Sequence, residues 1–329
     1  MATIYDIAAA MNLSASAVSR ALRDGEGLSP DTVAAIRAEA RRQGYVPRPR
    51  KHSPARSVAI LCPGVGGGFY SRIVTSLTRH LNAGGCECFT VFSDFDKSRE
   101  EMLLKMLPER GISGILCITE SRDLRGALES CIRTREVPIV QIGMSAPVGE
   151  YDNVRVDEET GVRAIMEHLT GLGHRRIVFL GGRFSRTRSE FFLGEAERLG
   201  ITASCRAEKS GEVGFDCGYH FGEKLLQEKT LPTAIVAEYD DVALGAMRRL
   251  QEAGVSIPRD ISVVGYDDAD YCSYMTPALT TVHSHTDSMC EIASEMLLRK
   301  LRDPVYRTVQ NILIRPDLVI RESTSKARE

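Results

Sequence analysis

Short apolar runs alternate with longer amphipathic stretches through residues 58–329, and this order limits the chain to few folds. The candidate strands are Val58–Cys62, Cys88–Phe92, Gly114–Ile118, Val137–Ile142, Ile177–Leu180, Thr233–Ala237 and Ile261–Tyr266. The stretches between them repeat apolar residues at helical spacing, at Tyr70–Leu81, Ser98–Leu107, Thr160–Gly171, Phe192–Leu199, Phe215–Gln227, Val242–Ala253 and Asp287–Leu301. Strand-then-helix order predicts doubly wound parallel sheets covered by helices. Because the segment is long for one such sheet, we expect two α/β lobes with a ligand cleft at the carboxyl ends of their strands.

Residues 1–47 show a different pattern, that of three short helices. Thr3 and Asp6 form a capping-box sequence, and Ser14 can cap a second helix. Ser29-Pro30 begins a third helix, which Gly44 ends. Two short helices joined by a tight turn, with a third packed across them, predict a helix-turn-helix head.

The second of these helices would present small and basic residues to DNA. Arg20 can reach guanine O6 and N7 with a bidentate fork, and Ser16 and Ser19 can contact bases or phosphates. A small helical bundle for protein contact is the alternative, but the short helices, small outward residues and basic charge favour DNA. The candidate DNA contacts are Thr3, Tyr5, Ser14, Ala15, Ser16, Ser19, Arg20, Arg23, Arg48 and Arg50.

Charge is distributed unevenly along the chain. Residues 1–56 contain nine Lys and Arg against five Asp and Glu, a net of +4, whereas the remainder carries −6. A small basic head on a larger acidic body indicates a module that binds a polyanion. On charge alone, a solvated charged face is the plainer alternative.

Several protein classes are excluded by what the sequence lacks. It has no run of about 18 uncharged apolar residues, which a membrane span needs, and no secretory signal pattern. The nine cysteines are scattered without a CxxC pair, which indicates free thiols in a reducing cytoplasm. His168 and His174 lack the spacing of zinc ligands and are expected to serve helix packing. No GxSxG, GxxxxGK[ST] or HExxH motif occurs, so we expect neither an enzyme nor a cofactor or metal.

The head sequence TIYDIAAAMNLSASAVSRAL, followed by LSPDTVAAIRAEARRQGYVP, resembles the DNA-binding head of the lactose-repressor (LacI/GalR) family. The resemblance covers nearly the whole chain, through VRVDEETGVRAIMEHLTGLGHRRIVFLGG (154–182), TAIVAEYDDVALGAMRRLQEAGVSIPRDISVVGYDD (233–268), TPALTTV (276–282) and IRPDLVIRES (314–323). It implies a helix-turn-helix DNA-binding domain at 1–47, a linker at 48–57 and an effector-binding core at 58–329. The core would be a two-lobed, type I periplasmic-binding-protein-like fold. Lobe 1 would span about 58–156 and 284–314, and lobe 2 about 157–282 and 315–329.

The resemblance also implies a function, that of a sequence-specific transcription regulator. It is expected to be a repressor that binds a near-palindromic operator in double-stranded DNA as a homodimer. A small molecule in the cleft would control it allosterically, and the dimer surface would include Tyr70–Leu81 and the segment around Cys86–Phe92. A transcriptional activator and an extracytoplasmic solute-binding protein on the same scaffold are the alternatives. The missing signal pattern and the basic head argue against the second.

Five residues match effector-binding positions of the family: Phe69, Arg188, Tyr239, Asp240 and Asp267. By this match, Phe69 would stack on a sugar face, while Arg188 and Asp267 would bind hydroxyl groups or a carboxylate. Tyr239 replaces the usual asparagine, so the pocket is expected to differ in shape from that of a typical relative. The expected effector is a sugar or a sugar derivative.

An anionic sugar derivative is a variant of this expectation. The run Gly66-Gly67-Gly68 before a helix can let backbone N–H groups approach an anion. Arg183 and Arg186 would add positive charge near Arg188. A loop without chemical consequence and solvated arginines are the alternatives.

The linker departs from the family pattern. Relatives carry a hinge helix whose leucine wedges into the minor groove, whereas residues 47–57 are PRPRKHSPARS. Three prolines oppose a helix, and no leucine is present. Arg48, Arg50 and Lys51 could instead contact phosphates or enter the minor groove.

Overall fold

The computed structural model of the chain describes residues 3–23, 28–45, 56–66, 68–119, 137–143, 151–181, 186–207 and 214–328. Arg48, Arg50 and Lys51 in the linker, with Gly67 and Arg183, lie outside these residues, as do the side chains of Arg23 and Arg186. By their contacts the residues form two compact units, Met1–Pro54 and Ala55–Glu329.

Three helices form the first unit, α1 (Ile4–Met11), α2 (Ala15–Arg23) and α3 (Pro30–Arg42). The predicted capping box is confirmed: Asp6 N donates to Thr3 Oγ1 at 3.3 Å, and Thr3 N donates to Asp6 Oδ2 at 2.7 Å. Ser14 Oγ accepts from the backbone N–H of Ala17 at 3.1 Å. Ser29 Oγ likewise caps α3. Local sequence therefore sets where all three helices begin.

The core of this unit is small. Its buried side chains are Ile7, Ala8, Val18, Ala21, Ile36 and Ala40. Arg37 on α3 adds a polar link, because its Nε donates to the carbonyl of Ala21 in the last turn of α2 at 3.3 Å. A head of this size depends on each of its few apolar contacts.

The second unit alternates strands and helices in chain order. Its elements are β1 (Arg56–Cys62), α4 (Gly68–Ala83), β2 (Cys86–Phe92), α5 (Lys97–Glu109), β3 (Gly114–Ile118), β4 (Ile139–Gly143), β5 (Asp152–Val156), α6 (Glu158–Gly171), β6 (Arg176–Gly181), α7 (Arg186–Leu199), β7 (Thr202–Ala207), α8 (Gly214–Leu226), β8 (Ala234–Ala237), α9 (Asp240–Glu252), β9 (Ser262–Val264), a 3₁₀ turn (Asp270–Tyr274), β10 (Thr281–His283), α10 (Thr286–Arg302), β11 (Asn311–Ile314) and β12 (Asp317–Val319). The predicted strand-then-helix order is confirmed.

In the described part of the first lobe, six parallel strands form a sheet in the order β11-β5-β4-β3-β1-β2. Helices α4 and α10 cover one face, and α5 covers the other. Strands β3 and β4 are buried at every residue, as the apolar runs of a doubly covered parallel sheet should be.

The sheet of the second lobe has four parallel strands among the described residues, in the order β7-β6-β8-β9. Helices α8 and α9 cover one face, and α6 and α7 cover the other. Gly218 on α8 and Gly245 on α9 let these two helices pack closely, because a Cβ at either position would overlap the backbone of the partner helix.

A small antiparallel pair, β10 with β12, lies where the chain passes between the lobes. Beyond β12 the chain returns to the second lobe, where Ser323 Oγ donates to the carbonyl of Val263 at 2.6 Å. His174 Nε2 lies 3.0 Å from the carbonyl of Ser325, and His168 Nε2 lies 3.0 Å from Thr324 Oγ1. Both histidines thus hold the C-terminal segment to α6 and the turn after it, consistent with a packing role.

Five strands were not predicted from sequence: β5, β7, β10, β11 and β12. Strands β10, β11 and β12 have only three or four residues, and β5 carries polar residues at buried positions. Strand β7 has six residues, but none of residues 202–206 is buried, so none of the five strands has a buried apolar run. Asp152 in β5, for example, is fully buried and lies 2.7 Å from Lys300 Nζ. No helix among the described residues is long and apolar enough to cross a membrane.

Candidate functional site

The first candidate site is the outer face of α1 and α2. Tyr5 is 76% exposed, and Ser16 and Arg20 are exposed, while Ala15 and Ser19 are half-buried. Ser14 and Thr3 are exposed as well, but their hydroxyls cap the two helices. The face therefore combines one aromatic ring, small polar side chains and a guanidinium, and Arg20 is free of any packing role in the head core.

The second candidate site is a cavity of about 1270 Å³ in the second unit. It lies beyond the carboxyl ends of strands from both lobes, where α/β folds bind ligands. The first lobe contributes Phe69 and Arg72 from α4, and the second contributes Tyr239 after β8 and Asp267 after β9. Of the five predicted effector residues, Phe69, Tyr239, Asp240 and Asp267 line this cavity.

Two aromatic rings face each other across the cleft. The ring centroids of Phe69 and Tyr239 are 6.5 Å apart, with 30° between the ring planes. This distance is within the range of aromatic pairs, so the two lobes touch here. Tyr239 supplies the second lobe's half of the contact.

Arg188 lies behind the cavity wall rather than on it. Its side chain is 2% exposed and is stacked on Tyr266, 3.8 Å from its ring centroid, and on Tyr239 at 4.8 Å. Its Nε donates to Glu158 Oε1 at 2.8 Å. Burial opposes the charge of Arg188, but the carboxylates of Asp267 and Glu158 outweigh it and raise the pKa of Arg188 above its usual value. Arg188 thus positions its neighbours, and its charge is already compensated.

Asp267 presents a carboxylate at the floor of the cleft. Its Oδ1 accepts from Ser284 Oγ at 3.0 Å and lies 3.7 Å from Arg188 Nη2. Its backbone has a φ of 98°, and Asp268 follows with a φ of 54°, which is the left-handed region. Burial raises the pKa of Asp267, and Arg188 and Ser284 limit the rise.

Asp240 is buried and has partners within the second lobe. It accepts from Thr281 Oγ1 at 2.6 Å and from the backbone N–H of Ala269 at 2.7 Å. Burial, with the nearby charge of Asp267, raises the pKa of Asp240 to about 7. The carboxylate therefore fixes the loop after β9 as well as bordering the cavity.

The beginning of α4 already holds a carboxylate. The backbone N–H of Gly68 and the hydroxyl of Tyr271 both donate to Asp241, which reaches across the cleft from α9. Burial raises the pKa of Asp241, and these two hydrogen bonds oppose the rise. The glycine run suggests that the N-terminus of α4 could bind an anion. In the structure the carboxylate of Asp241 already accepts a hydrogen bond there.

Sequence reasoning missed several residues of the cleft, including Arg72, Tyr271, His283 and Arg321. Arg321 donates from Nη2 to Asp268 Oδ1 at 2.6 Å, and His283 Nδ1 lies 2.9 Å from Asp268 Oδ2. Arg72 lies on a helix whose pattern suggests only an exposed polar position.

In the described part of the chain no cluster of His, Cys, Asp and Glu could hold a metal ion.

Comparisons with known proteins agree with this fold. The family model of the periplasmic binding protein-like domain matches residues 166–324. The ribose operon repressor of Escherichia coli (strain K12) is 27% identical over 332 residues, covering 98% of this chain and 100% of that protein. Over nearly its whole length the chain is similar to transcriptional regulators of the LacI family.

Two solved structures share most or nearly all of the fold. The lac repressor dimer bound to operator and the anti-inducer ONPF has a TM-score of 0.80 at 23% identity, covering 98% of this chain and 99% of that one. A LacI family regulator from Enterococcus faecium with bound ribose has a TM-score of 0.73 at 24% identity, covering 83% of this chain and 100% of that one. The predicted two-lobed core and helical head are those of this family, and the protein is a transcription regulator rather than an enzyme.

Proposed function

We propose that the head reads a near-palindromic operator as part of a dimer and that the protein represses transcription from it. The observation that carries this proposal is the exposed face of α1 and α2, where Arg20, Ser16 and Tyr5 are free to reach a major groove. A bidentate arginine contact with guanine contributes about 1–3 kcal/mol of discrimination against the wrong base. Two such heads on a two-fold axis give a palindromic site.

The test is selection of bound duplexes from a random pool by the wild type and by two variants. Arg20→Ala should remove the preference at one base position in each half-site. Arg41→Ala, which removes an exposed arginine from the end of α3, is the matched control. It should weaken binding to all sequences alike and keep the selected palindrome. An unchanged consensus with Arg20→Ala would refute Arg20 as a base reader. A reporter gene fused to a promoter that carries the selected site then shows whether the protein represses or activates transcription.

The dimer surface proposed from the resemblance is at the free edge of the first lobe's sheet. β2 is the last strand in the sheet order, and Phe89 on it is 49% exposed. Sedimentation of the wild type and of Phe89→Glu tests the surface. A shift of Phe89→Glu to monomer is expected, and an unchanged dimer would place the interface elsewhere.

The proposed effector is a neutral sugar. Each described arginine around the cleft already has a carboxylate partner, in the pairs Arg72–Asp270, Arg79–Asp287, Arg188–Glu158 and Arg321–Asp268. Asp241 already accepts from the first N–H of α4. A phosphate or carboxylate on the ligand would therefore meet cations whose charge is compensated, close to the carboxylate of Asp267.

Calorimetry with a panel of ligands tests this choice. The panel contains D-ribose and other neutral pentoses and hexoses, the matching sugar phosphates and the matching amino sugars. Binding of a neutral sugar, with its phosphate weaker or silent, is expected. Tighter binding of the phosphate would instead support the anionic effector suggested by the glycine run and by Arg183 and Arg186.

A further inference from the structure

One arginine of the first lobe reaches across the cleft to the second. Arg72 on α4 donates from Nη1 to the carbonyl of Asp268 at 3.1 Å. The same nitrogen lies 3.5 Å from the carboxylate of Asp270. Arg72 is thus anchored to the loop that follows β9, next to Asp267. Its side chain is 23% exposed and lines the cavity.

Two polar atoms, one on Arg72 and one on Asp267 beside the loop it contacts, are buried without a hydrogen-bond partner among the described residues. One is the Nε of Arg72, a donor, and the other is the Oδ2 of Asp267, an acceptor. The side chain of Asp267 is only 5% exposed and forms part of the cavity floor. Buried polar groups in folded proteins are nearly always paired, because leaving one unpaired costs free energy. The closed cleft therefore lacks one acceptor on its first-lobe side and one donor on its second-lobe side.

The chemistry of the missing partner follows from these two atoms. A hydroxyl group both donates and accepts, so neighbouring hydroxyls satisfy an N–H and a carboxylate oxygen together. A phosphate would accept from Arg72 but would repel Asp267, and an ammonium group would donate to Asp267 but would offer Arg72 no acceptor. We propose that Arg72 is a specificity residue of the cleft, which together with Asp267 binds hydroxyl groups of a neutral polyhydroxyl ligand. This inference rests on the proposed sugar effector and names the residue of the first lobe that selects it.

The burial of these two atoms also indicates that the ligand binds before the cleft closes. Both atoms are covered when the lobes touch, so the ligand enters when the cleft is open and is enclosed when it closes. Hydroxyls that accept from Arg72 and donate to Asp267 then join the two lobes. The ligand therefore stabilises the closed arrangement over the open one, which is the unequal binding that control requires.

The test measures binding of D-ribose and the other neutral sugars of the panel to the full-length protein by calorimetry. Arg72→Lys keeps the positive charge but removes the Nε donor, and it should weaken binding of the best neutral sugar about 10- to 100-fold. The matched control is Arg99→Lys, on α5 of the same lobe and outside the cleft, where Arg99 pairs with Asp94. The control should bind the sugar as the wild type does.

A double-mutant cycle with Asp267→Asn makes the test specific. If one set of hydroxyls joins both residues, the losses in the double variant should be smaller than the product of the single losses. Thermal unfolding and DNA binding of each variant show that the fold is intact. Equal affinity of Arg72→Lys and Arg99→Lys for the sugar would overturn the inference.

The inference and the proposed function fail in different ways. If no neutral sugar binds the wild type while operator selection succeeds, the ligand class and the role of Arg72 are both overturned and the DNA-reading function stands. If sugar binding depends on Arg72 but no operator is selected, the inference stands and the proposed reading of DNA by the head is overturned.

Discussion

Replacement of Arg188 by methionine should destabilise the core strongly. The side chains of Arg188, Glu158 and Asp267 are 2%, 4% and 5% exposed, so the variant leaves two carboxylates buried beside an apolar side chain. Loss of one member of a buried ion pair costs about 3–5 kcal/mol, because the remaining charge has no compensation. At about 2–4 °C per kcal/mol for a large domain, the Tm of the core should fall by roughly 6–20 °C.

The loss should also depend on pH in a definite direction. Burial already raises the pKa of Asp267 in the wild type, with Arg188 opposing the rise. Without Arg188, the folded-state pKa moves further above the unfolded value. A carboxyl group whose pKa is higher in the folded state than in the unfolded state does not destabilise the fold at low pH, where it is protonated in both states. It lowers the free energy of unfolding increasingly as pH rises from the unfolded pKa to the folded pKa. The difference in unfolding free energy between variant and wild type should therefore be larger at pH 8 than at pH 5.

Urea unfolding followed by circular dichroism, at both pH values, measures this effect. Arg248→Met is the control, because Arg248 is 70% exposed and its partner Glu252 lies 2.7 Å away on the same helix surface. Exposed pairs of this kind contribute little. If Arg188→Met were no worse than Arg248→Met, or equally destabilised at both pH values, the account of a charge-compensating buried arginine would be refuted.

Three further changes test other parts of the structure. Gly245→Ala should cost about 1–3 kcal/mol or more in urea unfolding, because its Cβ would overlap the backbone of α8, whereas Gly194→Ala on α7 has open space and should gain about 0.5–1 kcal/mol. Ile36→Ala should cost about 2–5 kcal/mol in the head, so DNA binding should be lost while the Tm of the core stays unchanged. Burial lowers the pKa of His174, so its contribution to stability is present above about pH 6.5 and is lost as pH falls. The unfolding free energy of His174→Gln should consequently fall less steeply between pH 7 and pH 5, and an unchanged slope would contradict this.

The helices and strands that the sequence predicts are those whose formation depends on residues within or next to the element itself. The capping box of Thr3 and Asp6 and the Ser29-Pro30 start lie within one turn of the helices they begin. The apolar runs of β3 and β4 are continuous because helices cover both faces of the sheet. Strand β5 was missed because its buried Asp152 is compensated by Lys300, a partner far along the chain that local pattern cannot show.

The cleft could also be predicted only in part, because local sequence pattern does not show contacts between residues that are far apart in the chain. The motifs predict Phe69, Tyr239 and Asp267 as effector-binding residues, and in the structure all three line one cavity. The burial of Arg188 depends on Glu158 and on the two tyrosine rings that stack against it, and none of them is its sequence neighbour. Arg72 could not be distinguished from a solvated helical residue until the loop after β9 was placed against it.

The glycines between α8 and α9 have a mechanical consequence. The backbones of the two helices are in contact at Gly218 and Gly245, so a rotation or translation of one helix would bring its backbone into collision with the other. Both helices begin at the cleft, at Gly214 and Asp240. Each has 13 residues and is about 20 Å long. We therefore expect a ligand that displaces the cleft ends of these helices to move the two helices together.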